Sequence, residues 1–260
     1  MEQLLAKLTN LGYEFFGIIL PGIIALVFLV MWWVSMGQLA PVLSSNFFPH
    51  LTSNNASLII ESISVKTGIG IALPSLIITY FLGHILQWTA RSGGASEKNV
   101  KSAFQRTIRS LIFRIPKYEN SHDLNLTPLF NAVQEKFSHD KTPLTWGQFF
   151  PLAKSYLARN FSQSLVSNYQ NKYTLHRSVA LASACLFWMC LAGIAAGVIA
   201  IHYGYASPRW WILFFLGGFS LVSVWGFSGS YAYNWRLFGN SIVTETYSLI
   251  FGPDNDQSKP

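Results

Sequence analysis

SVALASACLFWMCLAGIAAGVIAIHY, residues 178–203, holds no Asp, Glu, Lys or Arg. A helix of about 20 apolar residues crosses a hydrocarbon layer of ~30 Å, so this stretch reads as a membrane span. A short link carries the chain into a second run of the same kind, residues 209–235. Upstream, residues 15–36 and 68–90 repeat the pattern, which gives four spans in two hairpins. The composition agrees: 51% of the 260 residues are hydrophobic and 11% charged, against about 25% charged in soluble domains. Trp32, Trp33, Trp88, Trp210, Trp211 and Trp235 sit near span ends, where amphipathic rings favour the headgroup layer.

The block between the two hairpins, residues 91–177, carries 13 of the 18 basic residues and five acidic ones. Basic residues beside spans are retained inside, so the block is expected to be cytoplasmic. The loop at 37–67 holds only Lys66 and the link before span four only Arg209, which places both outside. Lys7 and Arg236 then put both termini inside. The expected organisation is an interfacial helix at 1–14, spans at 15–36, 68–90, 178–203 and 209–235, an outer loop at 37–67, a basic helical domain at 91–177 and a tail at 236–260. The fold class is an all-α polytopic membrane protein. Leu4, Leu5, Leu8 and Leu11 give the first segment its apolar face. The apolar run after it exceeds the length of a signal-peptide core, and an uncleaved anchor is expected.

Within the basic block, residues 97–115 place Val100, Phe104, Ile108, Leu111, Ile112 and Ile115 on one stripe, with a stop at Pro116. Lys98, Lys101, Arg106 and Arg109 are the candidate contacts to anionic lipid or to a protein partner, with lipid favoured. A second helix is expected from Thr127 as N-cap and Pro128, and a third from Thr145 towards Arg159, interrupted at Pro151. Residues 162–177 contain neither Pro nor Gly and are expected to run straight into span three. A signal received by the block has that route into the membrane.

Polar or small residues inside spans are the candidates for function. His84 lies within span two, where an ionisable group is a functional candidate and otherwise hydrogen-bonds a neighbouring helix. Gly218, Ser220, Ser223, Gly226 and Ser230 are candidate pore-lining positions, with His84 as a gate. Pro21, Gly22 and Pro74 are candidate hinges, and Gly193 and Gly197 candidate helix-packing positions. Gly226-Phe227-Ser228-Gly229 spells the signature of rhomboid-type intramembrane proteases, but no histidine follows His202 to serve as base. No catalytic residue, cofactor or metal ligand set is therefore expected. Cys185 and Cys190, five apart, are expected as free thiols. The eleven acidic residues all fall outside span cores, which disfavours ion-coupled transport.

By architecture alone the chain resembles small bacterial membrane effectors that pair a span bundle with an intracellular docking region, including components of anti-phage defence systems. That resemblance implies a non-enzymatic homo-oligomer of the bacterial inner membrane, which forms a pore or perturbs the bilayer under control of residues 91–177. The competing expectation is an anchor that recruits a cytoplasmic protein to the inner leaflet. Nucleic acid is disfavoured as a partner, because no nucleic-acid-binding motif occurs.

Overall fold

The computed structural model describes residues 12, 14–37, 69–92, 102–114, 122–138, 143–160, 164–205 and 207–252. Most of 1–14 and of the loop at 37–67, together with Lys98, Lys101 and the tail beyond Gly252, lie outside them. All regular structure among the described residues is helical. A π-helical turn, Phe15–Ile19, leads into α1, Leu20–Met36. Then follow α2 (Ile69–Ser92), α3 (Ala103–Leu111), α4 (Thr127–Phe137), α5 (Trp146–Asn160), α6 (Leu165–His202) and α7 (Trp210–Phe251). Among the described residues, three stretches are long and apolar enough to cross a membrane: Phe15–Met36, Leu165–His202 and Trp210–Phe251. The fourth long helix, α2, has 24 residues with Pro74 inside it and packs along α1.

Two helices dominate the architecture. At 1.5 Å per residue α6, with 38 residues, extends about 57 Å and α7, with 42, about 63 Å, roughly twice a hydrocarbon layer. They form the most extensive helix pair among the described residues. Ser164 starts α6, its hydroxyl accepting from the Val166 N–H at 3.1 Å. The helix runs unbroken past Arg177, as a stretch free of Pro and Gly leads one to expect. It ends where Gly204, at φ 77°, lets the Tyr205 N–H reach back to the Ala200 carbonyl. The Arg209 N–H donates to the Ser35 carbonyl at 2.9 Å, fastening the start of α7 to the end of α1.

One core cluster joins the short helices α4 and α5 to the long helices. Val133 of α4 and Phe149, Ala153 and Leu157 of α5 share one cluster with Val166, Tyr173 and Leu181 of α6. Tyr231, Phe238 and Ile242 of α7 and Leu86 and Ala90 of α2 belong to the same cluster. Helices α4 and α5 therefore build on the N-terminal half of α6 and the C-terminal half of α7 and share their core. A second cluster at the other end joins Met36, Leu186, Cys190, Leu213 and Leu216.

Local details differ from the sequence expectation in three places. The helix expected over 97–115 is, among described residues, Ala103–Leu111: extended Ser102 caps it, accepting from Gln105 N–H at 3.1 Å. It stops before Pro116 because Phe113 turns left-handed (φ 59°), so the Arg114 N–H bonds the Arg109 carbonyl and the Phe113 N–H that of Ser110. Leu126, not Thr127, caps α4, because a 3₁₀ turn at Leu124–Leu126 precedes it. Pro151 does not interrupt α5. The carbonyl that proline leaves unpaired belongs to exposed Gly147, where water can satisfy it.

Candidate functional site

The tightest contact in the bundle is where α1 meets α2. Pro21 has no N–H to give to the Gly17 carbonyl, and the turn before it widens, with the Leu20 N–H bonding the Phe15 carbonyl five residues back. Gly22 follows at once. A Cβ there would overlap the Thr79 carbonyl of α2, and a Cβ on Gly83 would overlap the Ile18 carbonyl of the π turn. The two glycines thus let backbone lie against backbone, four residues apart on each helix. Thr79 is itself satisfied, its hydroxyl donating to Leu76 O at 2.8 Å.

His84, next to Gly83, faces the other way. It is exposed, and its ring stands edge-on to Tyr80, centroids 4.5 Å apart. Pro74 is also exposed, towards the start of α2. The hinge candidates therefore separate: Pro21 and Gly22 are buried in the crossing, and Pro74 lies outside it.

On α7 the candidate lining residues fall on two faces. Ser220 and Ser223 are buried in the bundle, and the Ser220 hydroxyl donates to Gly217 O at 2.8 Å. Gly218 and Gly226 are exposed, with open space where a Cβ would stand, and Ser230 is half-buried. Ser228 is buried and donates to the Trp225 carbonyl at 3.1 Å, back onto its own helix rather than to a side-chain base.

Gly193 and Gly197 each make room for a side chain. Gly193 faces Trp32 and Met36 of α1 and Leu213 of α7. The Trp32 indole enters this notch and donates to the Met189 carbonyl at 2.7 Å. Gly197 receives Pro208 of the α6–α7 link and Trp210 at the start of α7. Cys185 and Cys190 are free thiols.

At the basic end, polar contacts lock the short helices and α6 to α7. Glu245 of α7 accepts from the Ser164 hydroxyl at 2.6 Å and from the Leu165 N–H at 3.0 Å, closing the N-terminus of α6. Asn240 donates to the Asp123 carboxylate and accepts from the Asp123 N–H, while Arg236 lies 3.4 Å from the same carboxylate. His122 stacks on Phe130 and Trp146, with centroids at 4.6 and 5.9 Å. Gln148 closes the α5 terminus by accepting from the Thr145 N–H and hydroxyl.

Burial in that stack pushes the His122 imidazole below its ordinary 6.5, with Asp123 pulling partly the other way. The folded state then favours neutral His122 and the unfolded chain takes the proton more readily. Its contribution to stability is present above about pH 6.5 and is lost as pH falls through the lowered folded value. Thermal unfolding at pH 8 and pH 5.5 is expected to show the loss, and His122→Gln to reduce it.

No group of three His, Cys, Asp or Glu side chains among the described residues could hold a metal ion. The crossing, the two faces of α7 and the basic-end contacts pack and position the helices. The chain matches no protein-family model, no curated protein and no solved structure.

Proposed function

We propose that the protein is a homo-oligomeric effector of the bacterial inner membrane, which opens or perturbs the bilayer when residues 91–177 engage a cytoplasmic partner. In this reading α2 is a fourth span, both termini lie inside, and the short helices α4 and α5 form the cytoplasmic receiver. The supporting observation is the single core that runs from Phe149 and Val133 through Tyr173 and Phe238 to Leu181 and Leu86. A displacement of α4 or α5 has to move α6 or α7, and each of these continues through the membrane as one helix.

Four helices enclose too little for a polar conduit, so a pore requires several copies. Gly218 and Gly226, with Ser230 next in the row, are the positions that line a conduit between protomers. Ser220 and Ser223 reach it only if α7 rotates. His84, exposed beside the tightest crossing, is the candidate gate. Purified protein in vesicles is expected to release a small trapped ion or dye once residues 91–177 are engaged or clustered. Oligomer that never passes either defeats the pore.

A second reading is favoured by one observation. The buried Ser220 and Ser228 hydroxyls are satisfied within α7, as in a bundle packed to stay closed. The protein is then an anchor that localises a soluble protein through residues 91–177. Its signature is a co-purifying partner whose recruitment survives changes at His84, Gly218 and Gly226.

A further inference from the structure

The short basic helix α3 is turned inside out relative to a helix on a soluble protein. Its buried residues are Thr107, Ser110 and Leu111, two of them polar. Its large apolar residues point away: Phe104 is 74% exposed, Ile108 44% and Ile112 50%. These three are spaced by four and make one stripe. Thr107 satisfies its hydroxyl on the Ala103 carbonyl at 3.0 Å, whereas the fully buried Ser110 hydroxyl has no hydrogen-bond partner among the described residues.

The place where α3 docks explains the inversion. Leu111 packs with Ala184 of α6 and Val224 of α7. The Trp188 indole donates to the Leu111 carbonyl at 2.7 Å. This carbonyl belongs to the last turn of α3, where helical partners run out. Ala184 and Trp188 lie in the most apolar part of α6. They are fourteen to eighteen residues from its end at His202, or about 21–27 Å at 1.5 Å per residue. In a layer of ~30 Å that is the depth of the inner leaflet. Trp188, whose indole meets α3, is itself exposed on α6, as are Leu221 and Trp225 on α7 to either side of Val224. Residues 102–114 carry Arg106, Arg109 and Arg114 and no acid, a charge suited to anionic phospholipid.

We propose that α3 is a membrane-embedded interfacial helix: Phe104, Ile108 and Ile112 enter the acyl chains of the inner leaflet, and Arg106 and Arg114 sit at the phosphate level. This rests on the membrane reading of α6 and α7. It goes beyond that reading by moving α3 out of the receiver and into the bilayer beside the α6–α7 pair.

The test places a nitroxide label on the full chain, with Cys185→Ala and Cys190→Ala, at Phe104→Cys, Ile108→Cys or Ile112→Cys in turn. Val222→Cys, 63% exposed on α7, serves as the span control, and Leu124→Cys, 84% exposed, as the water control. In vesicles of zwitterionic and anionic phospholipid, the three α3 labels are expected to be open to oxygen and shielded from an aqueous nickel chelate. Their depth is expected at about 5–10 Å below the phosphates. If they behave as Leu124 does while Val222 reads as lipid, α3 lies in water and the proposal fails although the span stands. Shielding from both reagents means that protein covers the stripe, which also overturns it. A Val222 label in water removes the membrane reading and α3 with it.

Discussion

Gly83→Ala is expected to destabilise the bundle by about 3 kcal/mol, the upper part of the range for overpacking, and Gly83→Val by more. The added methyl would coincide with the carbonyl of Ile18, and the reverse change at Gly22 with the carbonyl of Thr79. Neither obstacle is a side chain that can swing aside. The helices have to separate along the crossing, and in lipid no hydrophobic gain draws them together again, because packing itself is the driving force. The same substitution at Gly218 or Gly226 meets open space, and alanine there is expected within about 0.5 kcal/mol of the parent. Thermal unfolding in detergent and in nanodiscs checks both. Loss at Gly226→Ala in the bilayer but not in detergent would reveal a neighbour on that face, as a homo-oligomer requires. Equal, small effects at all four glycines would contradict the crossing.

What the sequence made legible was mostly periodic or long. Apolar runs at 15–36, 178–203 and 209–235 were visible as segments of membrane length and fall in the helices Phe15–Met36, Leu165–His202 and Trp210–Phe251, and the lack of Pro and Gly over 162–177 foretold that α6 would not break. Non-local geometry stayed hidden. Pro21-Gly22 looked like a hinge in one helix, and only the approach of Gly83 from α2 makes it a contact. The row of small residues on α7 gave no sign that Ser220 and Ser223 turn inward while Gly218 and Gly226 turn outward. Local strain was equally silent, because nothing in the composition of Phe113 announces a positive φ, and α3 therefore ends before its proline. The stripe Phe104, Ile108 and Ile112 was visible as a stripe. Its direction was not, because a pattern of apolar residues does not say whether protein or lipid receives it.

Phe238→Ala is expected to cost about 3–5 kcal/mol, the range for removing a fully buried ring. Its ring touches Phe150 of α5 at 5.4 Å, Tyr173 of α6 at 5.0 Å and Trp235 of its own helix at 5.6 Å. Ring contacts thus join α5, α6 and α7 at this one side chain. The cavity therefore opens where the short helices meet the long pair. The outer cluster of Met36, Leu186, Leu213 and Leu216 keeps all its neighbours. Hydrogen exchange is then expected to rise in α4, α5 and the first turns of α6, with the stretch from Leu186 to Ala200 left protected. In vesicles the same variant separates the two functional readings. An effector driven through this core loses its response to engagement of residues 91–177 while keeping its place in the membrane. If exchange rises uniformly through α6 and α7, the two ends unfold as one unit and a mechanical joint at Phe238 is refuted.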